Sequence, residues 1–407
     1  MPHIYLDHQS ATPMRPEVVQ AMEPFLSGDG FGNPSSLHQH GLKVRDALAR
    51  AREQVAAFLH AESPEEILFT SDGTESANLA VKGVAWASQR RGRHLVASPI
   101  EHPSVTESMA FLEKQGFEST RVSVDREGRI DPASIAGALK KGTILTCVHH
   151  ANYDVGTVQP IHEISEVCAA AGVPVYVDAE SAAGWIDLDV QRTGCALVSV
   201  SPHKLGGPKG VGVLYRHRRA RLVNLIHGGV QEWGWRAGVE NVAGIIGAGV
   251  ACEIAGRHLR QRAEHVGRLQ RRLWEGLKAK VPFIKLNGPE PGPDRVCASL
   301  NISVEFVEGE GLLLMLDTKG IAVASGTSCV SKALKVSPVL QAIGTDHALG
   351  QGSVLLSLGE SNTEAEIDAV LEVMPKTVAR LRDLSPMWDE FQRGLIDSVI
   401  TPREVSK

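Results

Sequence analysis

Between residues 65 and 215, six short β-branched runs alternate with stretches of helical pattern, and that rhythm admits few folds. The runs are Ile67 to Thr70, His94 to Ser98, Thr143 to His149, Val173 to Asp178, Ala196 to Ser201 and Val211 to Tyr215. Strands separated by helices predict an α/β architecture with a mainly parallel sheet covered by helices. Each run stops in polar or small residues, and in open α/β sheets ligands gather where strands reach their carboxyl ends. A site assembled from several strand ends is therefore expected.

Further on, His258 to Lys280 is basic and helical in pattern, with Leu259, Val266, Leu269, Leu273 and Leu277 recurring at helical spacing. It reads as the crossing into a second, smaller α+β domain, and its charges as a solvated face. Strand-like Ala298 to Val304, a helix from Gly309 to Asp317, a loop carrying Cys329 and a helical stretch from Thr363 to Asp383 follow. At 407 residues the chain exceeds what one core normally supports. The expected division is a large domain over residues 15–258 and a small domain made of residues 1–14 and 259–407.

The formal charge of -5 is small and interspersed, so no basic field argues for nucleic acid. No apolar stretch is long enough to span a bilayer, and Met1 to Gln9 has no basic segment leading into an apolar run. A small-molecule ligand and a cytoplasmic setting are the expectations. The six cysteines lie far apart, without paired metal spacing or the density of a disulfide framework. Cys147, Cys168 and Cys252 sit in apolar runs and read as core residues; only Cys329, in a polar loop, invites a chemical role.

Three features carry chemistry. Phe69 to Ser76 joins a strand to a helix from Ala77 to Ala85, and small residues such as Gly73 and Thr74 leave backbone N–H groups free for an anion. Capping alone also explains such a sequence. Asp178 ends an apolar strand, where its carboxylate suits a pyridinium nitrogen or a loop hydrogen bond. Lys204 follows the next strand in Ser201-Pro202-His203-Lys204, ahead of a glycine-rich stretch, and a lysine there can form an imine with an aldehyde cofactor.

Together with Leu6-Asp7, Phe31 to Ser36, Glu101-His102, Ser325 to Cys329 and Leu381 to Pro386, these motifs resemble the NifS/IscS-like cysteine desulfurases over nearly the whole chain. That family lies within the class V aminotransferase-like enzymes dependent on pyridoxal 5′-phosphate (PLP). The resemblance implies a fold-type I transferase with a sheet of the seven-stranded type, acting as a homodimer. It implies Lys204 as the Schiff-base lysine and carrier of the α-proton, and His102 stacked on the pyridine ring. Gly73, Thr74, Ser201 and His203 would hold the phosphate, Asp178 the ring nitrogen, and Tyr153 and Ser181 the ring's surroundings. Asn33 and residue 355 would face the substrate. Cys329 would attack the sulfur of the bound cysteine, giving alanine and a persulfide passed to an acceptor protein, as in iron–sulfur cluster assembly.

Departures from the family pattern cluster in the expected site. In Ser353-Val354-Leu355-Leu356-Ser357-Leu358-Gly359-Glu360 a leucine stands where an arginine should clamp the substrate carboxylate, and leucine cannot make charge-assisted hydrogen bonds. Tyr153 replaces an asparagine, Ser181 a glutamine, and Val239 a threonine expected to reach the partner subunit's phosphate. Three readings follow: a cysteine desulfurase with altered substrate anchoring, a family member acting on another amine or amino acid, and a sulfur-relay or non-catalytic homologue.

Overall fold

The computed structural model describes residues 3–325 and 336–400. After β1 (Ile4–Tyr5), the strands β2 (Ile67–Thr70), β3 (His94–Ala97), β4 (Glu118–Arg121), β5 (Thr143–His149), β6 (Val175–Asp178), β7 (Leu197–Val200) and β8 (Gly212–Arg216) build one sheet in the order β2-β8-β7-β6-β5-β3-β4. Neighbours from β7 through β4 run parallel, and only β8 is reversed against both β7 and β2. The expected mainly parallel seven-stranded α/β sheet is thus present, and the chain has the fold of fold-type I PLP enzymes.

Alternation of side chains feeds two apolar layers. On β6, Val175 and Val177 join the layer that includes Phe69, Val148 and Val200, whereas Tyr176 joins Leu68, Leu95, Leu145 and Leu197 on the other face. Because β2, β3, β5, β6 and β7 share a direction, the turns after them meet at one edge. That is how residues 70, 102, 150, 178 and 201 become neighbours although the sequence separates them widely.

The later strands β9 (Ile284–Leu286), β10 (Ser299–Val304) and β12 (Ser353–Ser357) form an antiparallel sheet in the order β12-β10-β9, while β11 (Ile321–Ala322) pairs with β1. Here the two faces differ sharply. Leu300, Ile302, Val304, Val354 and Leu356 enter an apolar core with the helices Leu259–Lys280 and Glu364–Arg382. The opposite face carries Ser299, Asn301 and Ser303 against Ser357, Leu355 and Ser353. Asn301 donates to the buried Asp154 at 2.5 Å, and Ser337 donates to its other oxygen at 2.5 Å, so the turn after β5 is tied to this polar face.

The tail is pinned by an aromatic cluster: Phe306 stacks on Phe391 at 4.8 Å and Trp388 on Phe391 at 5.4 Å, with the Arg382 guanidinium 5.0 Å over Trp388. Among the described residues no single helix is long and apolar enough to cross a membrane.

Candidate active site

The helix after β2 begins at Gly73, four residues before the sequence reading places it, because Asp72 caps it by accepting the Glu75 N–H at 2.7 Å. Gly73 is buried and Thr74 exposed in that first turn. Glu75 accepts from Ser71 N–H at 2.7 Å and from Arg236 Nε at 3.0 Å, which anchors the segment around Arg236 to the same turn.

Asp178 ends β6, where its Oδ1 accepts the Glu180 N–H at 3.0 Å. Burial pushes its carboxyl above the ordinary range while the Lys204 ammonium pulls it down. Ser201 is buried at the end of β7, and His203 and Lys204 follow in the single turn Pro202–Leu205. Burial, helped by Lys204 and Lys209, lowers His203 to about 4, so its imidazole is neutral at physiological pH.

His102 caps the helix Pro103–Glu113: its Nδ1 accepts the Ser104 N–H at 3.2 Å, which assigns the proton of the neutral ring to Nε2. Burial lowers its pKa, Glu180 opposing and Lys204 adding to the effect. Tyr153 meets its ring edge to face, 5.4 Å between centroids. Ser181 is buried, its Oγ accepting from Gln9 Nε2 at 2.5 Å, so the N-terminal segment closes over the turn after β6.

Leu355 is 5% exposed and lies on the polar face of β12, opposite Asn301, apart from the core that takes Val354 and Leu356. Its N–H donates to Ala324 O at 2.8 Å and its C=O accepts from Ala324 N at 3.0 Å, fixing its Cα beside the segment that leads to Cys329. Cys329 itself lies outside the described residues. Asn33 is exposed and its Oδ1 accepts the Ser35 N–H at 2.8 Å; among the described residues no hydrogen bond joins it to the group around Lys204. Burial pushes the thiols of Cys252 and Cys297 up to about 12, and those of Cys147, Cys168 and Cys195 also rise, so these five are poor nucleophiles.

Two features escape sequence reasoning. Glu101 accepts from Ser98 Oγ at 2.5 Å and lies 3.0 Å from His149 Nδ1, a buried network behind His102. Glu180 lies between Asp178 and Ser181 in the sequence, and its carboxylate packs on Gly73: a Cβ there would fall on it. A charged residue within Val177-Asp178-Ala179-Glu180-Ser181-Ala182 is the signal that marks it. The Glu180 carboxylate stands in for an anion at the helix start, and with Lys204, Asp178 and a neutral His102 beside it, the donor set suits a phosphorylated pyridine aldehyde.

This geometry defines an α/β enzyme site built around PLP. The chain matches the family model described as aminotransferase class-V over residues 4–370. It is 43% identical to the cysteine desulfurase IscS of Clostridium botulinum over 391 residues, covering 96% of this chain and 98% of that protein. Among solved structures it is similar to a NifS-like protein, with a TM-score of 0.87 and 33% identity over 93% of this chain and 100% of the other. It is also similar to SspA in complex with cysteine, with a TM-score of 0.77 and 32% identity over 88% of this chain and 100% of the other. The chain belongs to the aminotransferase class-V family, in its NifS/IscS-like cysteine desulfurase branch.

Proposed function

We propose that the protein is a PLP-dependent cysteine desulfurase whose substrate anchoring is altered at Leu355. The observation that carries this is the meeting of Asp178, Lys204 and His102 at the carboxyl edge of the sheet. Bound PLP supplies an electron sink for the substrate's α-carbon. Lys204 would hold the cofactor and carry the proton at the substrate Cα. Asp178 would hold the ring nitrogen and neutral His102, its proton on Nε2, would lie against the ring. Gly73, Thr74, Ser201 and His203 would hold the phosphate, with Tyr153 and Ser181 beside the ring.

The Cys329 thiolate takes the sulfur atom: its S–S bond forms as the substrate's C–S bond breaks, leaving alanine and a Cys329 persulfide. That sulfur is then passed to an acceptor protein, with iron–sulfur cluster assembly as the destination and the cytoplasm as the setting. The buried thiols elsewhere support Cys329 as the reactive one. Residues 15–258 form the large domain and residues 1–14 with 259–407 the small one, a division supported by the two separate apolar cores around the two main sheets. Purified protein supplied with PLP is to be given L-cysteine, L-selenocysteine, cysteine sulfinate and simple amines in parallel. Alanine from L-cysteine with an equal amount of sulfur on the protein or as sulfide supports the reading; product only from another amine overturns it.

A homodimer belongs to the same reading. Ile226, Val230, Trp233 and Val239 are exposed apolar residues on one segment, Val230 at 86%. That segment is held rigidly, since buried Glu232 accepts from Arg52 at 2.8 and 2.6 Å and from Phe69 N–H at 3.0 Å. Glu232 and Trp233 take left-handed backbone, with φ of 47° and 54°, a cost that such fixed partners offset. Exposed apolar surface on a rigid segment beside the Gly73 turn is what a subunit contact requires. Light scattering at micromolar concentration is expected to give twice the 43.7 kDa chain mass; a monomer with cofactor bound would contradict the dimer.

A further inference from the structure

From the contact between the turn after β6 and the start of the helix Gly73–Ser88, we infer that Glu180 competes with the cofactor phosphate for one seat and so sets how tightly this protein holds PLP. The inference rests on the cofactor reading above. Gly73 lacks a Cβ where the Glu180 carboxylate lies, and the same helix start offers the free N–H groups that a phosphate needs. Two anions cannot occupy that one space. Glu180 must swing away or take up a proton before a phosphate settles there.

The surroundings make the carboxylate an uneasy occupant. It is half-buried, and desolvation followed by the neighbouring Asp178 charge raises its pKa, while Lys204, His102 and Ser201 pull it back. Asp72, at the helix cap beside Gly73, adds no cation to the seat. What draws the carboxylate, packed as it is on the helix start, is therefore chiefly Lys204 and His102, groups that PLP itself engages. Part of the attraction available to the cofactor is already used by the chain.

A neighbouring departure from the family pattern points the same way. Ser181 stands where a glutamine is expected, and its hydroxyl is taken by Gln9. The turn after β6 thus presents a carboxylate to the phosphate end of the site and only a short, occupied hydroxyl beyond it. Weak, exchangeable cofactor binding follows from both.

The test is a PLP titration of wild type, Glu180→Ala and Glu180→Gln, followed by the cofactor's absorbance band and repeated with inorganic phosphate as competitor. Removing a carboxylate from a helix start that an anion must occupy is expected to tighten PLP binding by about tenfold in Glu180→Ala. Glu180→Gln keeps the size and loses the charge, so it is expected to gain a substantial part of that. Phosphate is expected to compete more strongly in both variants than in wild type. Because Asp178, His102, Lys204 and Asp72 are shared by all three proteins, the ratio of wild-type to Glu180→Gln affinity isolates residue 180. A raised Glu180 pKa makes that ratio shrink towards one as pH falls, since protonation removes the competing charge. Melting temperatures without PLP report whether each variant folds. Equal PLP affinity in the three folded proteins, or weaker binding in Glu180→Gln, overturns the inference. Failure of all three to take up PLP overturns the cofactor reading with it.

Discussion

Lys204→Ala is expected to leave a folded protein that no longer forms alanine from L-cysteine above background. Lys204 is half-buried in the turn Pro202–Leu205, with its N–H bonded to Ser201 O at 3.1 Å, so the backbone rather than the ammonium fixes this turn. Truncation therefore costs little stability. Among the described residues, it removes the only lysine set beside Asp178, Glu180 and His102 together. On the proposed reading, loss of the group that moves the Cα proton costs about 10²–10⁴-fold by itself, before the loss of cofactor anchoring is counted. The comparison is alanine formation by wild type and Lys204→Ala at saturating PLP. A variant within tenfold of wild type would assign the proton transfer to another group.

Leu355→Arg is expected to improve turnover of L-cysteine, chiefly through KM. The position lies on the polar face of the three-stranded sheet, between Ser353 and Ser357 on its own strand and opposite Asn301. Leucine is the odd residue on these two strands, since every other member of that face on β10 and β12 is serine or asparagine. A guanidinium there regains a charge-assisted clamp of roughly 2–5 kcal/mol, or tens to a few thousand fold in substrate binding.

The opposing effect is burial. An arginine at a site 5% exposed is desolvated before substrate arrives, although Asp154, held by Asn301, offers a nearby carboxyl. Some loss of stability in the free protein is expected, with recovery when substrate binds. Sulfide release is to be measured for wild type, Leu355→Arg, and Leu355→Arg with Cys329→Ser. Wild-type turnover that the arginine leaves unchanged would mean that another group anchors the carboxylate. Activity that survives Cys329→Ser would remove Cys329 from the sulfur path.

The sheet was legible wherever burial is two-sided. Thr143 to His149, in the parallel part of the sheet, and Ile67 to Thr70, paired antiparallel at its edge, are both buried along their whole length, and the structure bounds them as the sequence does. β4 was not legible: Glu-Ser-Thr-Arg at a sheet edge is half exposed and has no apolar signature. The two-residue strands β1 and β11 are too short to carry any period.

Within the site, Asp178 and Lys204 could be read because a strand end is a local feature. The packing of Glu180 on Gly73, or of Asp154 on Asn301 and Ser337, joins residues far apart in the chain, and periodicity reports burial rather than which ends meet. The resemblance to a family located the positions; only the contacts show what the substituted side chains touch.

The central claim is that PLP is carried on Lys204 at the meeting point of β6 and β7. Borohydride reduction of the holoenzyme, proteolysis and mass mapping of the pyridoxyl label test it most directly. The label is expected on the peptide containing Ser201 to Lys204; a label confined to Lys209 or to any other lysine, or none after full reduction of a coloured protein, would contradict it.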